Sequence, residues 1–291
     1  MTEAANIKND PAAWIRERIL DYTASTENSL QFEGVLEPAW AAPLVGFSCG
    51  DDPLYPKFKE DIGPFYWTPQ EIFAATFPGM QVAPGELTVI SWILPQTKKT
   101  RRDNSREKAV SAERWARSRK YGEDFNIKLR DHVVAVLCEA GYEAVAPMNA
   151  PAWKWETSVR YGFASSWSER HAAFASGLGT FGLSDGLITP LGKAMRCGSV
   201  VARIAVPPSE RPYADHHAHC LFYVDGSCGK CIERCPAGAI TREGHDKEKC
   251  ATYVHDVSSE SIRARFGFET SGCGLCQVGV PCEARIPLPA K

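Results

Sequence analysis

At 291 residues, with 44% hydrophobic, the chain can fill one large core or a large and a small one. Thirty-three Lys and Arg against 35 Asp and Glu leave a net charge of −2, which excludes a global field that would recruit nucleic acid or an anionic membrane. The opening MTEAANIKNDPAAW has no apolar run of signal-peptide length, the Arg101–Arg102 pair lies too deep to act in export, and no later stretch approaches a membrane span. A cytoplasmic protein without a membrane partner is the expectation.

In chain order, Asp10 and Pro11 predict an N-cap and first-turn proline for a helix whose Trp14, Ile15, Ile19 and Leu20 make one apolar face. Residues 43–48 (PLVGFS) read as a short buried strand, and Thr68 to Glu71 (TPQE) as a capping box opening a helix that ends before Pro78. Residues 87–94 (LTVISWIL) read as a central strand. The basic segment Lys98, Lys99, Arg101, Arg102, Arg106 and Lys108 reads as a solvated loop, or functionally as a patch steering an anionic ligand. A long helix follows, with Phe125, Leu129, Val133, Val136 and Leu137 as its inward stripe, Cys138 as a core residue beside it, and Gly141 closing it. Tyr142 to Ala146 makes a strand, and 168–176 a helix. This alternation predicts an α/β or α+β unit as far as Val206, and the proline-rich 207–212 (PPSERP) marks a boundary. Two domains are expected, 1–206 and 207–291.

Eight of the eleven cysteines fall from Cys220 onward. A disulfide scaffold would need an oxidising compartment, so metal ligation is the better reading. Cys228, Cys231 and Cys235, followed by Pro236, reproduce all but the first cysteine of the bacterial C-x2-C-x2-C-x3-C-P ferredoxin run. In that run the last cysteine serves a second cluster, so a second set is required. Cys250, Cys273, Cys276 and Cys282 supply it. Asp225 stands where the first cysteine belongs, and a carboxylate is a weak ligand for cluster iron, so Cys220 is expected to substitute. The assignment is Cys220, Cys228, Cys231 and Cys282 for one [4Fe–4S] cluster, and Cys235, Cys250, Cys273 and Cys276 for the other. Tetrahedral zinc on the paired C-x2-C units is the alternative. His216, His217 and His219 read as a surface turn and not as a further metal site.

Two segments N-terminal to the cysteines complete a pattern. Residues 169–182 (ERHAAFASGLGTFG), continuing through Leu187, Ile188, Thr189, Pro190 and Gly192, together with 115–121 (WARSRKY), resemble the epoxyqueuosine reductase family and the catalytic core of reductive dehalogenases. The resemblance covers roughly residues 80–285. It implies an α+β fold, with a nitroreductase-like α/β domain followed by a small ferredoxin-like two-[4Fe–4S] domain. It also implies a base-off cobalamin, held by Gly177, Gly179, Gly182, Ser184, Leu187, Ile188, Thr189, Met195 and Cys197. Gly177, Gly179 and Gly182 also match a dinucleotide fingerprint, but a helix precedes them where a strand is needed.

The family's epoxyqueuosine-reducing members carry an aspartate donor a few residues before the Glu-Arg pair. The corresponding stretch here, 161–167 (YGFASSW), has no carboxylate, so a small-molecule substrate is expected in place of the family's tRNA, with an external low-potential donor of ferredoxin or flavodoxin type. Catalytic candidates are Tyr161, Glu169, His171 and Asp185. Tyr161 is preferred for its closeness to the donor position, while Glu169 and Arg170 have a pairing or capping role as their alternative. The competing reading of the chain is a non-catalytic ferredoxin-type electron carrier or reductive activator without a corrinoid; a flavin in the same fold is a third.

Overall fold

The structure, a computed structural model, describes residues 6–288. The outer ends of both expected domains, 1–5 and 289–291, lie outside the described residues.

Asp10 accepts from the Ala13 amide at 2.9 Å and Pro11 fills the first turn of α1 (Pro11–Thr23). Ile15 and Ile19 are buried, but Leu20 turns outward. Strand β1 (Leu44–Cys49), α2 (Leu54–Ile62) and α3 (Pro69–Thr76) follow, the last opened by the reciprocal Thr68–Glu71 capping box. Strand β2 (Thr88–Pro95) is buried at every residue.

Most of the basic segment is not a loop, and of its basic residues only Lys108 lies outside a helix. The rest forms α4 (Lys98–Arg106), because Thr97 caps it and Thr100 and Asn104, one turn apart, are fully buried on its inner face. Lys98, Lys99, Arg102 and Arg106 remain exposed.

Helix α5 (Glu113–Glu139) buries Phe125, Leu129, Val133 and Leu137, while Val136 is half-buried. Cys138, expected in the core, is exposed: it lies one position past Leu137, on the solvent side of the stripe. Strand β3 (Ala144–Val145) is shorter than expected, and a hairpin of β4 (Trp155–Ser158) and β5 (Gly162–Ser165) leads into α6 (Glu169–Ala175). Short β6 (Thr180–Phe181) and β7 (Leu187–Ile188) pair with each other before the long β8 (Met195–Ala202).

The main sheet runs β1-β2-β8-β3 with every pair antiparallel, so the alternation of strands and helices belongs to a mixed α+β fold rather than a parallel α/β one. Both faces are covered. Val89 and Ile93 pack with Tyr55, Tyr66, Phe73, Trp167 and Ala172, whereas Ile90, Trp92 and Leu94 pack with Ile15, Ile19, Phe125 and Leu129. This two-sided burial explains why 87–94 reads as an unbroken apolar run.

After β8 the proline-rich strap lies along the sheet edge, where Ser209 exchanges bonds with the Phe47 amide and carbonyl at 2.9 Å each. The cysteine-rich part then builds α7 (Leu221–Val224), α8 (Lys230–Arg234), a small ribbon of β9 (Ile240–Thr241) and β10 (Gly244–His245), and α9 (Lys247–Thr252). A π-helical turn (Tyr253–Ser258) connects α9 to α10 (Ser259–Phe266). Lys193 and Ala194 donate to the carbonyls of Cys282 and Glu283 at 2.8 and 3.2 Å, so backbone pairing joins the two parts. Gly192 makes that approach possible: at φ +84°, a Cβ there would stand 2.2 Å from the Glu283 oxygen.

Candidate functional site

The eight cysteines sort into two adjacent groups. Cys220, Cys228, Cys231 and Cys282 line one small cavity of about 20 Å³ together with Leu183, Ile188 and Lys193. Burial pushes Cys231 up to about 11 against the pull of Lys193, and Cys276 of the second group, then Cys282 and Cys220, add to the effect. In the second group burial pushes Cys250 up to about 11, reinforced by Cys276 and Cys235, and Cys273 up to about 12, reinforced by Cys276, Cys250 and Cys235. Cys235 accepts from the Ala239 amide at 3.3 Å. Thiols this buried and this close to one another ionise only against a cation.

The donor sets consist of free thiols alone, the ligand type that [4Fe–4S] clusters take. Among the described residues no group of three or more His, Cys, Asp or Glu side chains is drawn together as a metal site. Cysteines spaced around a cavity suit a polynuclear cluster, in which each thiolate takes a different iron. Asp225 does not line the cavity; it is exposed and accepts from the Ser227 amide at 2.9 Å. His217 and His219 are spoken for, their Nδ1 atoms lying 2.9 and 3.0 Å from the Phe181 and Ile188 carbonyls.

The residues expected to hold a corrinoid do not fit it as well. Leu187, Ile188, Thr189 and Cys197 are buried. Thr189 donates to the Gly192 carbonyl, Ser184 accepts from Lys193, and Cys197 Sγ lies 3.5 Å from Met195 Sδ. A Cβ at Gly177 or Gly179 would stand 2.2 Å from the Glu210 oxygen or 2.4 Å from the Ile188 oxygen, and one at Gly182 would meet the Ile188 side chain at 3.1 Å. Internal packing therefore accounts for these glycines; Gly177, at φ +76°, follows the end of α6. Of the nine positions, Gly177 and Met195 are half-exposed.

The catalytic candidates divide. Glu169 is withdrawn into the fold: it is 9% exposed, accepts from Arg130 Nε at 3.0 Å and from Ser199 Oγ, and burial raises it against the pull of Arg130. It belongs to a buried charge network with Arg130, Glu123 and Arg196, not to a proton-delivery site. Tyr161, His171 and Asp185 do share a neighbourhood, through residues that pattern reading missed. Tyr161 sits exposed at the tip of the β4–β5 hairpin, and Lys247 Nζ donates to its carbonyl at 3.2 Å and to that of Phe163 at 3.3 Å. Asp185 Oδ2 lies 3.0 Å from His245 Nδ1; burial opposes its ionisation, but His245, Arg170 and Lys247 hold it below the usual carboxylate range. His171 packs against Phe58, Tyr66 and Phe181, and burial, reinforced by Arg170 and Lys247, drives it down to about 3, so it stays neutral. The signal for Lys247 and His245 was their position just before Cys250.

No family model matches the chain. It is 28% identical over 166 residues to an epoxyqueuosine reductase of Bacillus anthracis, covering 55% of this chain and 39% of the relative. An epoxyqueuosine reductase of Synechocystis sp. is 30% identical over 132 residues, covering 43% and 40%. The chain thus spans about two fifths of the length of these curated relatives. Among solved structures, an epoxyqueuosine reductase with an epoxyqueuosine-modified tRNA-Tyr stem loop aligns at TM-score 0.49 and 16% identity over 98% of this chain and 68% of that one. A catabolic reductive dehalogenase in complex with 3-bromo-4-hydroxybenzoic acid aligns at 0.48 and 16% over 94% and 36%. Among the described residues no helix is long and apolar enough to cross a membrane. The curated relatives support the family that the motifs resemble: over about half its length this chain is similar to the epoxyqueuosine reductases.

Proposed function

We propose that the chain is an iron–sulfur reductase that passes electrons from an external low-potential donor, of ferredoxin or flavodoxin type, through two [4Fe–4S] clusters to a small organic substrate. The observation that carries this is the sorting of eight cysteines into two touching groups, one of them lining a cavity. When bound, the clusters would supply one-electron steps at low potential. Cys220, Cys228, Cys231 and Cys282 would hold one, and Cys235, Cys250, Cys273 and Cys276 the other, within a ferredoxin-like module beside a nitroreductase-like domain. The corrinoid rests on the family resemblance alone, and no step is assigned to it.

The chain's own residues would then manage charge and protons beside the second cysteine group. Asp185, kept ionised, holds His245 and faces Arg170 and Lys247. Burial lowers Lys247 from its ordinary value, which brings its ammonium closer to a proton donor's range, and its place under the Tyr161 hairpin aims it at the same neighbourhood. His171, held neutral, offers a hydrogen bond without adding charge. A carrier reading without catalysis is not favoured, because the similar curated proteins are reductases by name.

The test uses anaerobically prepared, reduced protein challenged with epoxide and aryl-halide substrates, with and without added cobalamin. Substrate-dependent reoxidation of the clusters, lost in Lys247→Met and Asp185→Asn variants that keep full iron, is expected. Clusters that reoxidise only against a partner protein would make the chain a carrier.

A further inference from the structure

Lys193 is 2% exposed and lines the cavity shared by Cys220, Cys228, Cys231 and Cys282. Its amide donates to the Cys282 carbonyl at 2.8 Å, and its Nζ donates to Ser184 Oγ at 2.5 Å. The charges that bear on it are those of Cys282, Cys276, Cys231 and Cys220. Three belong to one cysteine group and one, Cys276, to the other, so the ammonium stands where the groups meet.

A buried ammonium with only a hydroxyl as partner is a costly state unless an anion shares its space. The anion on offer is a thiolate-ligated cluster, which is negative when oxidised and more negative when reduced. A fixed positive charge beside it favours the reduced form, and net charge and hydrogen bonds around the sulfurs are among the terms that set cluster potentials.

We propose that Lys193 is a positioning residue for electron transfer: its buried ammonium is the counter-charge of the cluster held by Cys220, Cys228, Cys231 and Cys282 and raises that cluster's reduction potential. This rests on the two-cluster reading above. Ser184 orients the ammonium, and the Lys193–Cys282 backbone bond ties its position to a ligand.

The experiment is an EPR-monitored redox titration of the full, anaerobically prepared chain, with iron and sulfide quantified in every sample. Lys193→Met with its full iron complement should show a midpoint more negative by at least tenfold in the reduction equilibrium, about 59 mV for a one-electron couple. Lys193→Arg, which keeps the charge, should stay within threefold of the parent. Removing the exposed charge of Lys230, on the helix that carries Cys231, should shift the midpoint far less than removing Lys193. Full clusters with unchanged midpoints in Lys193→Met would overturn the proposal. If that variant loses its clusters, Lys193→Gln decides, since it keeps a polar group that can bond Ser184 but removes the charge: a fall in midpoint supports the proposal and an unchanged one overturns it. Parent protein without iron would instead overturn the two-cluster reading, which keeps the two failures distinct.

Discussion

At the scale of single residues, the sharpest choice is between Cys220 and Asp225 as the ligand missing from the ferredoxin run. Cys220 lines the cavity with three other cysteines, whereas Asp225 faces solvent and serves its own turn. Cys220→Ala should therefore lose about half the iron of a two-cluster protein, and Asp225→Ala should keep it all, as iron analysis of each variant will show. Equal loss from both would reverse the assignment. The grouping of Cys220 with Cys228, Cys231 and Cys282 around one cavity was legible in the sequence because it was read from spacing written along the chain. Lys193, His245 and Lys247 were not, because a lysine or histidine takes its meaning from what the fold packs around it. Cys138 failed for a smaller reason: a single helical step separates it from buried Leu137, and that step points outward.

At the scale of elements, α5 is tied to α6 and β8 by charge. Burial works against ionisation of Glu123, yet Arg196 and then Arg130 hold its carboxyl below the usual carboxylate range. Its folded value thus lies below the unfolded value of about 4.3, so its contribution is complete above that pH and fades as pH falls through the folded value. Glu123→Gln should cost about 3 kcal/mol at pH 7 by urea denaturation, and the gap from the parent should close below about pH 4. A gap independent of pH would show that packing rather than charge holds these elements. Gly274 makes a second test. At φ +65°, with a Cβ that would stand 2.0 Å from the Trp115 ring, Gly274→Ala should cost about 3 kcal/mol and loosen the iron held by Cys273 and Cys276. Helix α4 was hidden at this scale. Its composition is that of a solvated segment, and its buried face is fixed by Asn104, which accepts from the Ala112 amide at 2.9 Å and donates to the Cys273 carbonyl, distant in sequence, at 3.2 Å.

For the whole molecule, the sheet and its two covering layers form a scaffold against which the cysteine-rich part completes itself. Lys193 and Ala194 pair with Cys282 and Glu283, Asn104 reaches Cys273, and Tyr253 donates to the Ala109 carbonyl at 2.6 Å. Stripping the iron would leave buried thiols and a buried ammonium without their counter-charge, so apo protein should melt well below the loaded form in a thermal scan, and equal melting temperatures would argue against clusters as structural ligands. The central claim is that eight cysteines hold two [4Fe–4S] clusters, and the most direct measurement is the metal and sulfide content of anaerobically purified chain combined with Mössbauer spectra. About eight irons and eight sulfides per chain, with the spectrum of [4Fe–4S] centres, are predicted; zinc in place of iron, or iron without sulfide, would contradict the account.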